Sequence, residues 1–167
     1  HDIMEYRFTR GQGLQGHSLG NLLIAAMADL NDGNFERGVN AISEVLRVRG
    51  RILPSTLSHV KLAAEMTDGS IVRGESRIRS AGKPIERVFI EPRHASANGE
   101  AIKEILSADI IVLGPGSVFT SVIPNLLVPD IATAVRASGA LKIYVCNVAT
   151  EPGETDGYDP SDHVRSV

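Results

Sequence analysis

The sequence predicts an α/β domain, with a mostly parallel sheet, helices on both faces and one antiparallel hairpin inserted into the scheme. Three observations carry this. From Asn98 onward, apolar strand-like runs alternate with helical stretches, which implies βαβ units joined by right-handed crossovers. The run Asp109-Ile110-Ile111-Val112-Leu113 reads as a buried strand that stops at a Gly114-Pro115-Gly116-Ser117 loop, with a helix start behind it. Upstream, Val60 to Met66, the turn Thr67-Asp68-Gly69-Ser70 and the return Ile71 to Glu75 have the pattern of a β-hairpin.

The elements follow in order. Leu19 to Leu30 is apolar with helical spacing, Ser18 is placed to cap it, and Asn31-Asp32-Gly33 ends it. A second amphipathic helix is expected from Phe35 to Val48, with Phe35, Val39, Ile42, Val45 and Leu46 on one face and Gly50 as its stop. Ile52-Leu53-Pro54-Ser55 is an extended turn before the hairpin. Ile85 to Ile90 reads as a strand broken by Pro92. A helix over Asn98 to Leu106 precedes the strand Ile110 to Leu113. A helix over Pro129 to Ala137 precedes the strand Leu141 to Cys146. The tail, Asp162 to Val167, looks like the first turn of another helix. There is no internal repeat, low-complexity segment or linker, so the economical reading is one domain over 1–167. The chain opens at His1 without a Met and closes inside a helical turn, which reads as a fragment trimmed at both ends.

Composition narrows the function classes. The 167 residues are 43% apolar, enough for a sizeable core. The net charge of -3 makes no electrostatic case for nucleic acid or an anionic membrane. Arg outnumbers Lys by 13 to 4, which suits an anion binder because guanidinium clamps phosphate and carboxylate in a plane. The single cysteine, Cys146, excludes an intrachain disulfide and a cysteine-built zinc site, and its place in an apolar strand reads as a small core residue. The longest apolar run, Leu22 to Ala28, is too short to cross a bilayer. No signal peptide is visible, so the expected compartment is the cytoplasm.

The chemistry concentrates at two strand ends. A glycine loop between a strand and a helix start presents backbone N–H groups and the positive end of the helix dipole, both of which favour an anion such as phosphate. Gly114, Gly116, Ser117, Thr120 and Ser121 form such a stretch. It lacks the spacing and Lys of a Walker loop and the third glycine of a dinucleotide fingerprint. The second strand end opens into Asn147 to Tyr158, dense in acids, hydroxyls and glycine. Ligands of open parallel sheets sit outside the carboxyl ends of strands, so the two loops face one crevice if their strands are neighbours. Elsewhere, His17 before the first helix could meet a phosphate, carry a proton or simply cap. Arg73, Arg77 and Arg79 with Glu75 make a cationic strip on the hairpin face. Asp159, Asp162 and His163 cluster at the tail without metal-ligand spacing, and Asp162 could serve as a cap. No Gly-x-Ser-x-Gly elbow or Cys-His arrangement supports nucleophilic catalysis.

Five strings, GHSLGNLLIAAM around His17, the Ile52-Leu53-Pro54 turn, DGSIVRGES, ADIIVLGPGSVFTSVIPNLLV and KIYVCNVATEPGETDGYDPSDHV, resemble the YvcK-like gluconeogenesis factor family, itself related to the CofD 2-phospho-L-lactate transferases. The resemblance covers nearly the whole chain. It implies a Rossmann-like α/β domain in a cytoplasmic bacterial protein associated with growth on gluconeogenic carbon, cell shape and cell-wall synthesis. It implies UDP-N-acetylglucosamine as ligand, with no required cofactor, no nucleic acid and no membrane span; NAD or magnesium as additional ligands, a protein partner in cell-wall or carbon metabolism and a homo-oligomer stay open. By motif, Gly114, Gly116, Ser117, Thr120 and Asn125 line the phosphate or ribose part of the pocket, and Asn147, Thr155, Asp156 and Tyr158 face it from the next strand end. No catalytic residue follows. The family's opening Gly-rich strand-loop-helix, its Asp-rich segment and its last strands have no counterpart in this sequence, so about half of the pocket is expected here. A CofD-like transferase, moving a phospholactyl group from a nucleotide diphosphate to a deazaflavin, is the alternative. That chemistry needs a divalent cation, for which Glu154 and Asp156 are the candidate holders.

Overall fold

The computed structural model describes Met4 and residues 6–167. The chain forms two compact units, residues 1–57 and 58–167.

The first unit is built on two helices, α1 (Leu19–Leu30) and α2 (Phe35–Val45). Ser18 and Asn34 cap them, their side chains accepting from the N–H groups of Asn21 and Arg37. The helices pack closely because Gly38 has no side chain: a Cβ there would lie 2.6 Å from the backbone nitrogen of Ala28. Helix α2 is shorter than its periodicity suggests. It ends at Val45, and Arg47 turns into the left-handed region (φ 49°) before Gly50 is reached. Of the five apolar residues assigned to its inner face, Val39 and Ile42 are buried, whereas Phe35, Val45 and Leu46 stay substantially exposed. Phe35 and Leu46 line an apolar cavity of about 280 Å³ with Val48, Ile52 and Leu53.

The second unit holds two sheets. β1 (Lys61–Met66) and β2 (Ile71–Arg73) form the expected hairpin, with Ala64 opposite Val72. β3 (Ile85–Glu91) pairs antiparallel on the other side of β1, giving the order β2-β1-β3. The hairpin therefore belongs to a separate three-stranded antiparallel sheet rather than inserting into the parallel one. The segment expected to continue β2 to Glu75 turns instead at Gly74 (φ 94°) into a short helix, α3 (Glu75–Ser80). The cationic strip is accordingly divided: Arg73 lies on β2, in a bidentate pair with Glu91, and Arg77 and Arg79 lie on α3.

Parallel pairing joins β4 (Ile110–Leu113) to β5 (Leu141–Tyr144), with Ile110 beside Leu141 and Leu113 beside Tyr144. Helix α4 (Gly99–Ser107), capped by Asn98, leads into β4. The β4-to-β5 crossover contains a π-helical turn (Val118–Val122), α5 (Ile123–Leu126) and α6 (Pro129–Ala137). The wide turn has a local cause. Pro124 has no N–H to donate to Thr120, and the bonds Val122 N–H to Ser117 O and Ile123 N–H to Val118 O span five residues instead of four. The chain closes on α7 (Pro160–Ser166). β5 ends at Tyr144, so Cys146 falls just beyond the strand and is half-buried rather than a core residue.

The main core consists of Ala64, Met66, Ile78, Ile85 and Val88 packed on Val118 and Phe119. The antiparallel sheet and α3 thus back directly onto the first residues after the Gly114–Ser117 loop. That burial, worth about 1.5–3 kcal/mol per large side chain, holds the loop in place. Among the described residues no single helix is long and apolar enough to cross a membrane.

Candidate functional site

Because Leu113 and Tyr144 are register partners in a parallel pair, β4 and β5 release their loops on the same side of the sheet. The chain must bend sharply at Gly114 (φ 89°), where a Cβ would sit 2.8 Å from the carbonyl oxygen of Val145. Only glycine combines that backbone angle with such an approach.

The two loops are stitched together. The Asn147 side-chain amide donates to the Gly116 carbonyl at 3.2 Å, and the Ser117 hydroxyl donates to Glu151 Oε1 at 2.9 Å. Deeper in, the Glu154 carboxylate accepts from the backbone N–H groups of Phe119 and Thr120, each at 3.2 Å, and from the Thr120 hydroxyl at 2.5 Å. Arg79 of α3 lies 3.6 Å from the same carboxylate, whose side chain is 1% exposed. Within the post-β5 loop, Glu151 N–H donates to the Thr155 hydroxyl and Gly153 N–H to Asp156 Oδ2, both at 2.8 Å. Gly153 (φ 81°) passes so close to the Arg79 carbonyl that a Cβ would clash with it.

Among the described residues, the buried side-chain atoms Glu151 Oε2, in the loop after β5, and His163 Nδ1, on α7, have no hydrogen-bond partner. Tyr144 adjoins this region, and burial, followed by the nearby Cys146 and Glu151 charges, pushes its phenol above the usual tyrosine range. Tyr158 stands edge-on between Phe119 and His163, with ring centroids 6.1 and 5.4 Å away.

The model of the family described as 2-phospho-L-lactate transferase CofD matches residues 1–167. The chain belongs to the CofD family. Within it, the chain is similar to proteins named gluconeogenesis factor. That of Halalkalibacterium halodurans is 51% identical over 165 residues, covering 99% of this chain and 51% of the relative. That of Bacillus subtilis is 48% identical over 166 residues, covering 99% and 52%. A crystal structure of a Bacillus halodurans protein superposes with a TM-score of 0.88 at 51% identity, over 99% of this chain and 53% of that one. The chain therefore spans about half the length of the relatives it matches.

Set in this CofD-family fold, the residues expected at the site fall into three groups. Gly114, Gly116, Ser117 and Asn147 gather at the junction where the two loops are hydrogen-bonded together. Thr120 and Thr155 lie behind it, buried, with their hydroxyls bonded to Glu154 and Glu151. Asn125, Asp156 and Tyr158 are peripheral. Asn125 is exposed on α5 with its amide on the Ser121 carbonyl, Asp156 is exposed and folded back on Gly153, and Tyr158 packs toward the core. His17 is exposed in the first unit. Asp159 and Asp162 bond reciprocally as a capping box on α7. Among the described residues no group of three or more His, Cys, Asp or Glu side chains is placed to hold a metal. Glu154, named from the sequence as a cation holder, has instead both carboxylate oxygens directed at N–H and O–H donors. Nothing in the sequence points to the roles Glu151, Glu154 and Arg79 take in joining the two loops. Their partners lie at 34 or more positions away for the acids, a separation that leaves no local pattern in a sequence.

Proposed function

We propose that this chain is the core of a cytoplasmic regulatory protein that binds a nucleotide-sugar, UDP-N-acetylglucosamine, and is linked to gluconeogenic growth, cell shape and cell-wall synthesis. The observation that carries the reading is the crevice at the carboxyl ends of β4 and β5, where open α/β sheets bind ligands. There the backbone N–H groups of Gly116 and Ser117 have no protein partner among the described residues, and amides of this kind suit diphosphate oxygens. The names of the relatives support the gluconeogenic link.

The family description favours a second reading, a transferase moving a phospholactyl group to a deazaflavin-like acceptor. Calorimetry on the full-length protein separates the two. The panel comprises UDP-N-acetylglucosamine, NAD, GTP and a flavin-like acceptor, each with and without magnesium. Saturable UDP-N-acetylglucosamine binding, unchanged by the acceptor, is the expected result. Turnover of a nucleotide-diphosphate donor overturns the regulator in favour of the transferase.

A further inference from the structure

We propose that Glu154 is the positioning residue of the strand-end crevice, the group that fixes the Gly114–Ser117 wall against the post-β5 wall so that both can hold one ligand. This rests on the reading of that crevice as the ligand site.

Glu154 is 4% exposed, and a buried carboxylate persists only when its oxygens are well paired. Here they are. Oε2 takes the N–H groups of Phe119 and Thr120, and Oε1 takes the Thr120 hydroxyl with Arg79 nearby. Several donors converging on one carboxyl group fix its geometry as well as its energy. What they fix is the π-helical turn directly behind Ser117, the residue whose hydroxyl in turn bonds Glu151. On the other side, Glu154 belongs to a loop held by the Glu151 N–H to Thr155 hydroxyl bond and by the close passage of Gly153 over Arg79. Glu154 is thus the buried link between the two walls, behind the Asn147–Gly116 and Ser117–Glu151 bonds nearer the loop tips. Thr120 follows as a consequence. Its hydroxyl proton is directed to Glu154, so Thr120 acts through the clamp and not by touching ligand.

Glu154→Gln keeps the shape and changes the pairing. A carboxamide offers one acceptor oxygen and a donor NH₂, so the donors that met two oxygens now meet one oxygen and one donor. In the ligand-free full-length protein, well below its melting temperature, amide hydrogen exchange of Phe119, Thr120 and the 151–157 segment is expected to rise at least tenfold. Unchanged exchange overturns the clamp. With UDP-N-acetylglucosamine as probe, the Kd of folded Glu154→Gln is expected to rise at least tenfold. Thr120→Val should do the same, and the double variant should bind no more weakly than the weaker single. Should Glu154→Gln fail to fold, Thr120→Val carries both measurements, since it keeps the backbone donor and removes only the hydroxyl. A purely structural role would lower melting temperature and leave the affinity of folded molecules at the wild-type value, and that result overturns the proposal. If wild-type protein binds no UDP-N-acetylglucosamine, the proposed function falls, while the exchange measurement still decides the clamp.

Discussion

Thr155 shows how a residue of the post-β5 loop can serve to hold that loop's backbone in place. It is 0% exposed, and its hydroxyl is the acceptor for the Glu151 backbone N–H. Valine has nearly the same volume, so Thr155→Val removes the acceptor and little else. An N–H left unpaired in the interior costs about 1–3 kcal/mol. We therefore expect Thr155→Val to lower the unfolding free energy by that amount, seen in equilibrium urea unfolding as a lower midpoint with an unchanged slope; a wild-type midpoint would show that the hydroxyl does not hold the loop. At this scale the sequence was informative where chemistry is local. Gly114 and Ser117 announce themselves as a strand-end loop through their neighbours. Thr155 and Glu154 do not, because the groups that define their roles lie on a different stretch of chain or, for Thr155, are revealed only by burial.

The cap read from the sequence, Ser18, stands where the first helix begins, and two more helices begin at side-chain caps the sequence reading did not single out. Ser18, Asn34 and Asn98 each stand where a helix begins, and each side chain accepts from an N–H in the first turn. Helix α3 was not legible, since six residues hold too few apolar positions to show a period, and its β-rich prelude masks the turn at Gly74. Helix α7 supplies a test of cap electrostatics. The Asp159 carboxylate accepts from the Asp162 N–H, and this bond, with a further one from the Ser161 backbone, holds its carboxyl pKa below the usual aspartate range. A carboxyl whose folded pKa is depressed contributes stability above its unfolded pKa, near 4, and that contribution is lost as pH falls through the folded value. Asp159→Asn retains a neutral cap and lacks the charge. Its melting temperature should lie below wild type at pH 7 and converge with it as the pH drops below about 4. A gap that stays constant with pH would assign the effect to shape alone.

At the scale of the whole molecule, the class was legible and the division of sheets was not. Pairing of β1 with β3 joins residues separated by α3, and only the folded core decides between that partner and β4. The parallel pair leaves a consequence for solution behaviour. Ile110, Val112, Leu141 and Ile143 alternate onto one face of β4 and β5, and all remain 39–62% exposed, with Val145 continuing the row. Parallel strands are ordinarily covered on both faces, and a contiguous apolar patch in water favours association. The 167-residue chain by itself is therefore expected to bind an apolar dye such as ANS and to sediment as larger species at higher concentration. Val112→Lys with Ile143→Lys should suppress both, with a stability change within about 0.5 kcal/mol because the positions face solvent. In a polypeptide of the relatives' full length, roughly twice this span, further chain is available to cover the face. The same two lysines would then be buried without partners and should destabilise by several kcal/mol, on the order of the cost of unpaired interior charge. Dye binding by the short chain, its loss in the lysine variant and the contrasting stability of the long chain form one internally checked set. A short chain that binds no dye would mean the row is already shielded.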